Sequence, residues 1–141
     1  MKITFIGTSS GLTVPDRSHA SILVDSGETR TLLDCGEGTI RSLLRQGIDI
    51  NSIGQAAVTH THCDHCSGLP TLLQYMHLTG RETPFNIYLP RGTVQTFQNF
   101  LNQLYLISDR MSFPYALLEY RAGEVFKEGN FTLYSRKNRH L

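Results

Sequence analysis

Four side chains able to bind a divalent metal fall within six positions, in His60-Thr61-His62-Cys63-Asp64-His65. Successive side chains of an extended strand point to opposite faces, so His60 and His62 aim the same way where Gln55-Ala56-Ala57-Val58-Thr59 runs out of a short buried strand. That pair can grip one cation. A turn directly afterwards brings Asp64 and His65 round at other angles, and two adjacent sets of imidazole and carboxylate suit a pair of zinc ions. Such ligands leave zinc electron-poor enough to lower the pKa of a bound water from about 16 towards 7, which supplies hydroxide at neutral pH. Manganese and iron accept the same ligands. Two blander readings compete: histidines exposed on a loop, or a closed structural zinc site, which would more often lean on cysteine. Cys63 and Cys66 form a C-x-x-C pair, but no second pair exists, so a redox role is the weaker reading.

The elements that must position these groups follow from periodicity. Lys2 to Gly7 alternates apolar and polar residues and stops at glycine, as a half-buried strand would. Residues 21–25 and 30–34 read as two strands joined by the turn Ser26-Gly27-Glu28, which puts Asp34 at a strand end. Ile40, Leu43 and Leu44 have helical spacing, ended near Gly47. Leu69, Leu72, Leu73 and Met76 mark a second helix with Ser67 as N-cap, Pro70 in the first turn and Gly80 as the stop. A strand at 85–89, a helix carrying Val94, Phe97, Phe100, Leu101 and Leu104, and strands at 115–120 and 131–135 complete the series. The apolar stripes are expected to be core.

Composition sets the limits. The 141 residues suit one domain, spanning 1–141, and 40% hydrophobic residues suit a packed core. A formal charge of +1 gives no global attraction to nucleic acid or anionic membrane, so any polyanion must be held locally. Arg17, Arg41 and Arg45 are candidate phosphate contacts, with solvated surface the competing reading. No apolar stretch reaches the roughly 18 to 20 residues of a membrane span, and the start is strand-like, so a soluble, cytoplasmic protein with reduced thiols at Cys35, Cys63 and Cys66 is expected. The chain ends just after a strand with neither capping helix nor polar tail, and so reads as cut short at its C-terminal end.

The histidine signature, its continuation Ser67-Gly68-Leu69-Pro70, the segment Leu33-Asp34-Cys35-Gly36-Glu37-Gly38-Thr39, the opening Phe5-Ile6-Gly7-Thr8 and the later Pro15-Asp16-Arg17 together resemble the metallo-β-lactamase-fold hydrolases. Among these the likeness is greatest to ribonuclease Z, the tRNA 3′-processing endonucleases. The resemblance implies an α/β fold, an αββα sandwich of which this chain supplies the N-terminal half as a mixed sheet with covering helices. It implies that His60 and His62 bind one zinc, that Asp64 and His65 bind the other, that Asp64 also takes part in proton transfer, and that Asp34 supports the ligands. His140, 75 residues beyond His65 and just after a strand, falls where the family places its next ligand (140 − 65 = 75). His19 and His77 match no ligand position. The family's bridging aspartate, last histidine and tRNA-gripping arm would lie beyond residue 141.

The activity so implied is zinc-dependent hydrolysis of a phosphodiester, in precursor tRNA, by a homodimer. Departures at Cys63, Cys66 and Ile40 bear on substrate rather than fold. Two alternatives stand beside it: a hydrolase of the same fold acting on a small phosphodiester or thioester, and a non-catalytic metal-binding or interaction module.

Overall fold

The computed structural model describes residues 1–138, so His140 lies outside the described residues. Strands β1 (Lys2–Gly7), β2 (Ser21–Asp25), β3 (Arg30–Leu33), β4 (Gln55–Ala57), β5 (Phe85–Pro90) and β6 (Tyr115–Tyr120) form one six-stranded sheet in that order. β1, β2 and β3 pair antiparallel, and β3 through β6 pair parallel. Parallel neighbours need crossovers. These are supplied by α1 (Thr39–Arg45), by α2 (Cys63–Cys66) with α3 (Leu69–Leu78), and by α4 (Val94–Gln103).

One face of the sheet packs on the helices. Leu32, Ala56, Phe85, Ile87 and Leu89 from the strands form one buried cluster with Leu43 of α1, Leu69, Leu72, Leu73 and Met76 of α3, and Phe97 and Leu101 of α4. The expected helical stripes are therefore core, with three exceptions. Leu44 of α1 is exposed at 48%, and Phe100 of α4 and Leu104 just beyond it at 46% and 45%, while Phe97 and Leu101 are the buried residues of α4.

The other face carries an element the sequence reading missed. A hairpin of β7 (Gly123–Glu128) and β8 (Phe131–Ser135) forms a separate two-stranded sheet. Tyr88 alternates with the core residues of β5 and so points away from the helices, where its ring stacks on Phe126 at 4.8 Å. Gln55 donates to Glu128, and the Asn130 backbone N–H donates to Glu28. A single sheet with helices on it was the expectation, and the hairpin corrects it. β7 escaped notice because Gly-Glu-Val-Phe-Lys-Glu buries only Phe126 fully. The hairpin leaves Ile3 and Phe5 of the edge strand β1 exposed at 55% and 64%, against the half-buried β1 that its alternation predicts.

Arg81 shows how a charge is tolerated inside. It is 4% exposed, its guanidinium donates to the carbonyls of Asn51, Ile53, Thr83 and Pro84, and it lies over the rings of Phe85 and Phe113. No helix among the described residues is long and apolar enough to cross a membrane.

Candidate metal centre

In a parallel sheet the crevice beyond the carboxyl ends of the strands is where side chains from several loops converge. Three such ends meet here. Leu33 of β3 leads into Asp34, Ala57 of β4 leads through Val58 and Thr59 into the histidines, and β6 ends at Tyr120.

The predicted turn after His62 is itself helical. α2 comprises only Cys63–Cys66, and helical rotation at about 3.6 residues per turn swings Asp64 and His65 to different directions from the extended His60 and His62. α3 follows almost without a break, so Ser67 closes α2 rather than capping α3. Gly68 takes the N-cap position with no side-chain cap, which corrects the expected role of Ser67.

The imidazoles gather. The His60 ring lies 4.7 Å from that of His62 and 4.0 Å from that of His65, centroid to centroid. Asp64 Oδ2 is 3.5 Å from His65 Nε2. Among the described residues, no group of three or more His, Cys, Asp or Glu side chains is placed to hold a metal ion.

Asp34 organises the cluster from behind. It is buried and takes a left-handed backbone, φ 57°, a conformation that Asp tolerates better than most residues. That turn folds its carboxylate back onto the histidine loop. Oδ1 accepts from the Thr59 backbone N–H at 2.7 Å, the Thr59 hydroxyl reaches both carboxylate oxygens, and Oδ2 meets His65 Nδ1 at 2.7 Å. The Thr59 hydroxyl also lies 3.0 Å from His60 Nδ1. A carboxylate on one ring nitrogen fixes the tautomer and leaves the other nitrogen as a lone-pair donor, so the arrangement fits a divalent metal at His65 Nε2.

Backbone contacts lock the two loops together. The Cys35 N–H donates to the His65 carbonyl at 2.7 Å, and the Gly68 N–H donates to the Cys35 carbonyl at 2.8 Å. Gly36 and Gly68 sit where these segments cross. A Cβ on Gly36 would fall 2.2 Å from the Asp64 carbonyl oxygen, and one on Gly68 would fall 2.3 Å from that of Gly36. Tyr120 ties the end of β6 to the same loop by donating its hydroxyl to the Val58 carbonyl at 2.7 Å. Burial, with the Asp34 charge as a smaller cause, raises the Tyr120 pKa, so the hydroxyl stays a donor at neutral pH.

The structure thus brings together His60, His62, Asp64 and His65, with Asp34 behind them. Thr59 and Tyr120 were missed. Thr59 directly precedes the signature, whereas nothing in the neighbourhood of Tyr120 marks its role. His19 is buried, its Nε2 3.1 Å from the Thr13 hydroxyl, and the Ser112 backbone N–H donates to His77 Nδ1; neither joins the cluster.

Two of the three thiols are held in a form unsuited to redox work. Burial pushes the Cys35 pKa up to about 12 and that of Cys66 up to about 11, so both stay protonated, while Cys63 is exposed. Ellman's reagent at pH 8 is expected to modify one thiol per folded chain and all three after denaturation, counted by absorbance and located by peptide mass.

Comparisons with known proteins bear on the family and the fold. Residues 1–140 match the family described as anti-Pycsar protein Apyc1. Ribonuclease Z of Methanothermobacter thermautotrophicus is 34% identical over 140 residues, 99% of this chain and 45% of that protein. The crystal structure of the short form of human tRNase Z superposes with a TM-score of 0.72 at 30% identity, covering 84% of this chain and 45% of that one. The metallo-β-lactamase-fold protein YhfI of Bacillus subtilis gives the same TM-score at 20% identity, over 92% of this chain and 49% of its own, and attests the fold alone. The chain spans about half the length of the relatives it matches. The expected metallo-β-lactamase fold and the likeness to ribonuclease Z are both borne out.

Proposed function

Because this chain belongs to the anti-Pycsar protein Apyc1 family and has the metallo-β-lactamase fold, we propose that it serves a zinc-dependent phosphodiesterase resembling ribonuclease Z. The observation that carries this reading is the contact of the His60 ring with those of His62 and His65, with Asp34 Oδ2 holding His65 Nδ1 at 2.7 Å. The names ribonuclease Z and tRNase Z on relatives at 30% identity or more support a precursor tRNA substrate, and a cut after the unpaired nucleotide that follows the acceptor stem is part of the same proposal. Action as a cytoplasmic homodimer belongs to the same proposal.

His60 and His62 would hold one metal ion, Asp64 and His65 the other, with His140 a further ligand. When bound, zinc supplies Lewis acidity for the phosphoryl oxygens and lowers the pKa of water. The chain's own residues do the rest. Asp34 and Thr59 orient His65 and His60, and Asp64, whose Oδ2 faces the same point as His65 Nε2, takes the proton from the attacking water and returns it to the leaving oxygen. A small phosphodiester is the second reading, favoured by a net charge of only +1.

The decisive measurement is metal content per chain together with hydrolysis of bis(p-nitrophenyl) phosphate and of a precursor tRNA. Stoichiometric zinc with cleavage of both, lost to a chelator and restored by zinc, is expected of the protein that also carries the bridging aspartate and last histidine. Cleavage of the small ester alone selects the second reading, and absence of both metal and cleavage leaves a non-catalytic module.

Asp34→Asn keeps the shape of the side chain and removes its charge from His65. Partners of this kind typically contribute about 10- to 100-fold to metal affinity. Zinc binding, titrated against a chromophoric chelator, is expected to weaken within that range, and unchanged affinity would show that the Asp34 contact is structural only.

A further inference from the structure

Beside the histidines lies a cavity of about 420 Å³, between α2 and the start of α4, that the mechanism above does not use. The wall nearest the cluster is formed by Thr61 and Cys63, which alternate in sequence with His60, His62 and Asp64, so one stretch of backbone supplies both metal ligands and cavity wall. The opposite wall is aromatic. Phe97 and Phe100 pack edge to face, centroids 5.9 Å apart, and Phe100 keeps 46% of its surface exposed despite its size. Polar atoms come from hydroxyls: that of Thr96, that of Thr93, which donates to the Pro90 carbonyl and keeps its acceptor lone pairs, and that of Ser67, whose Oγ is buried with no hydrogen-bond partner among the described residues. No lining side chain is charged.

A phosphate would call for cations or free backbone donors here, and the Gly92 N–H is already taken by Glu119. An uncharged planar ring with hydrogen-bonding edges suits the lining instead, because it can stack on a phenyl face while its edge meets hydroxyls. The volume falls within the range of about 300 to 1,000 Å³ usual for small-molecule sites. We propose that this cavity is a nucleobase subsite, which holds the base next to the phosphodiester at the histidine cluster, with Phe100 as the stacking platform. The inference rests on the phosphodiesterase reading for the identity of the ligand.

The test uses adenosine, which has a base and no phosphate. Titrated into the chain and followed by NMR, adenosine is expected to shift the ring resonances of Phe97 and Phe100 and the methyl resonances of Thr93 and Thr96 saturably. Loss of one stacking face in Phe100→Ala should weaken binding about tenfold, and Phe100→Tyr should restore it. Thermal melts confirm that each variant is folded. Shifts that avoid these residues, or equal affinity in the alanine variant, overturn the proposal. So does shielding of Phe100 that grows with protein concentration and without adenosine, because a second copy then covers the cavity. Hydrolysis of methyl p-nitrophenyl phosphate by the zinc-loaded wild-type protein separates the two claims. Hydrolysis without adenosine binding leaves the phosphodiesterase reading standing and this inference lost, whereas adenosine binding without hydrolysis does the reverse.

Discussion

In the complete enzyme, replacing His62 with alanine is expected to abolish phosphodiester hydrolysis and leave the fold in place. The fold survives because His62 is exposed and its side chain makes no capping bond to α2. Its backbone carbonyl, which accepts from the His65 N–H and the Cys66 thiol, is retained in alanine, and the ring contact with His60 is lost. Exposed substitutions of this kind change stability by about 0.5 kcal/mol or less. Activity depends on the ring. Residues that only support a ligand already cost about 10- to 100-fold in metal affinity or turnover when lost, so a ligand itself should cost more than about 100-fold. Turnover of bis(p-nitrophenyl) phosphate and the far-ultraviolet melting curve, measured on one preparation, check both halves. Unchanged turnover would remove the zinc mechanism.

Gly36→Ala is expected to have the opposite profile, a damaged fold with the metal ligands chemically intact. The added carbon would lie 2.2 Å from the Asp64 carbonyl oxygen and 2.4 Å from His19 Cβ. Backbone cannot turn aside as a side chain can, so the segment carrying Asp64 must move. Overpacking typically costs about 1 to 3 kcal/mol, and the upper end is expected where backbone is displaced. For a chain of this size about 3 kcal/mol lowers the melting temperature by roughly 10 °C. Gly27→Ala is the control. Gly27 has φ 90° with nothing within 4 Å of a Cβ, so its replacement carries only the backbone strain of about 1 to 2 kcal/mol. Equal melting temperatures in the two variants would show that the crossing at Gly36 is loose.

How much of this was legible beforehand differs between levels. The spacing of Leu69, Leu72, Leu73 and Met76 predicts α3, and the alternation in Phe85 to Leu89 predicts β5, because both patterns report which side of a regular element faces apolar surroundings. The same logic failed for Ile3 and Phe5. Alternation tells which residues share a face, but not whether anything covers that face, and the β7–β8 hairpin lies over Tyr88 instead. Ser67 was misplaced for a related reason, since a capping residue cannot be told from a junction residue until the preceding turn is known to be helical.

The sequence by itself determined the donor types, the clustering of His60, His62, Asp64 and His65 on one short segment, and the order of strands and helices apart from α2 and β7. These depend on neighbours within a few positions, where the chain's own geometry does the placing. Only the tertiary structure decided that Asp34, 31 positions before His65, folds back to hold its Nδ1, that Tyr120 fastens the loop from the far end of β6, and that Phe100 faces an open cavity. Each of those contacts arises because parallel strands bring distant loops to one edge of the sheet, and local periodicity contains no record of which loops meet there.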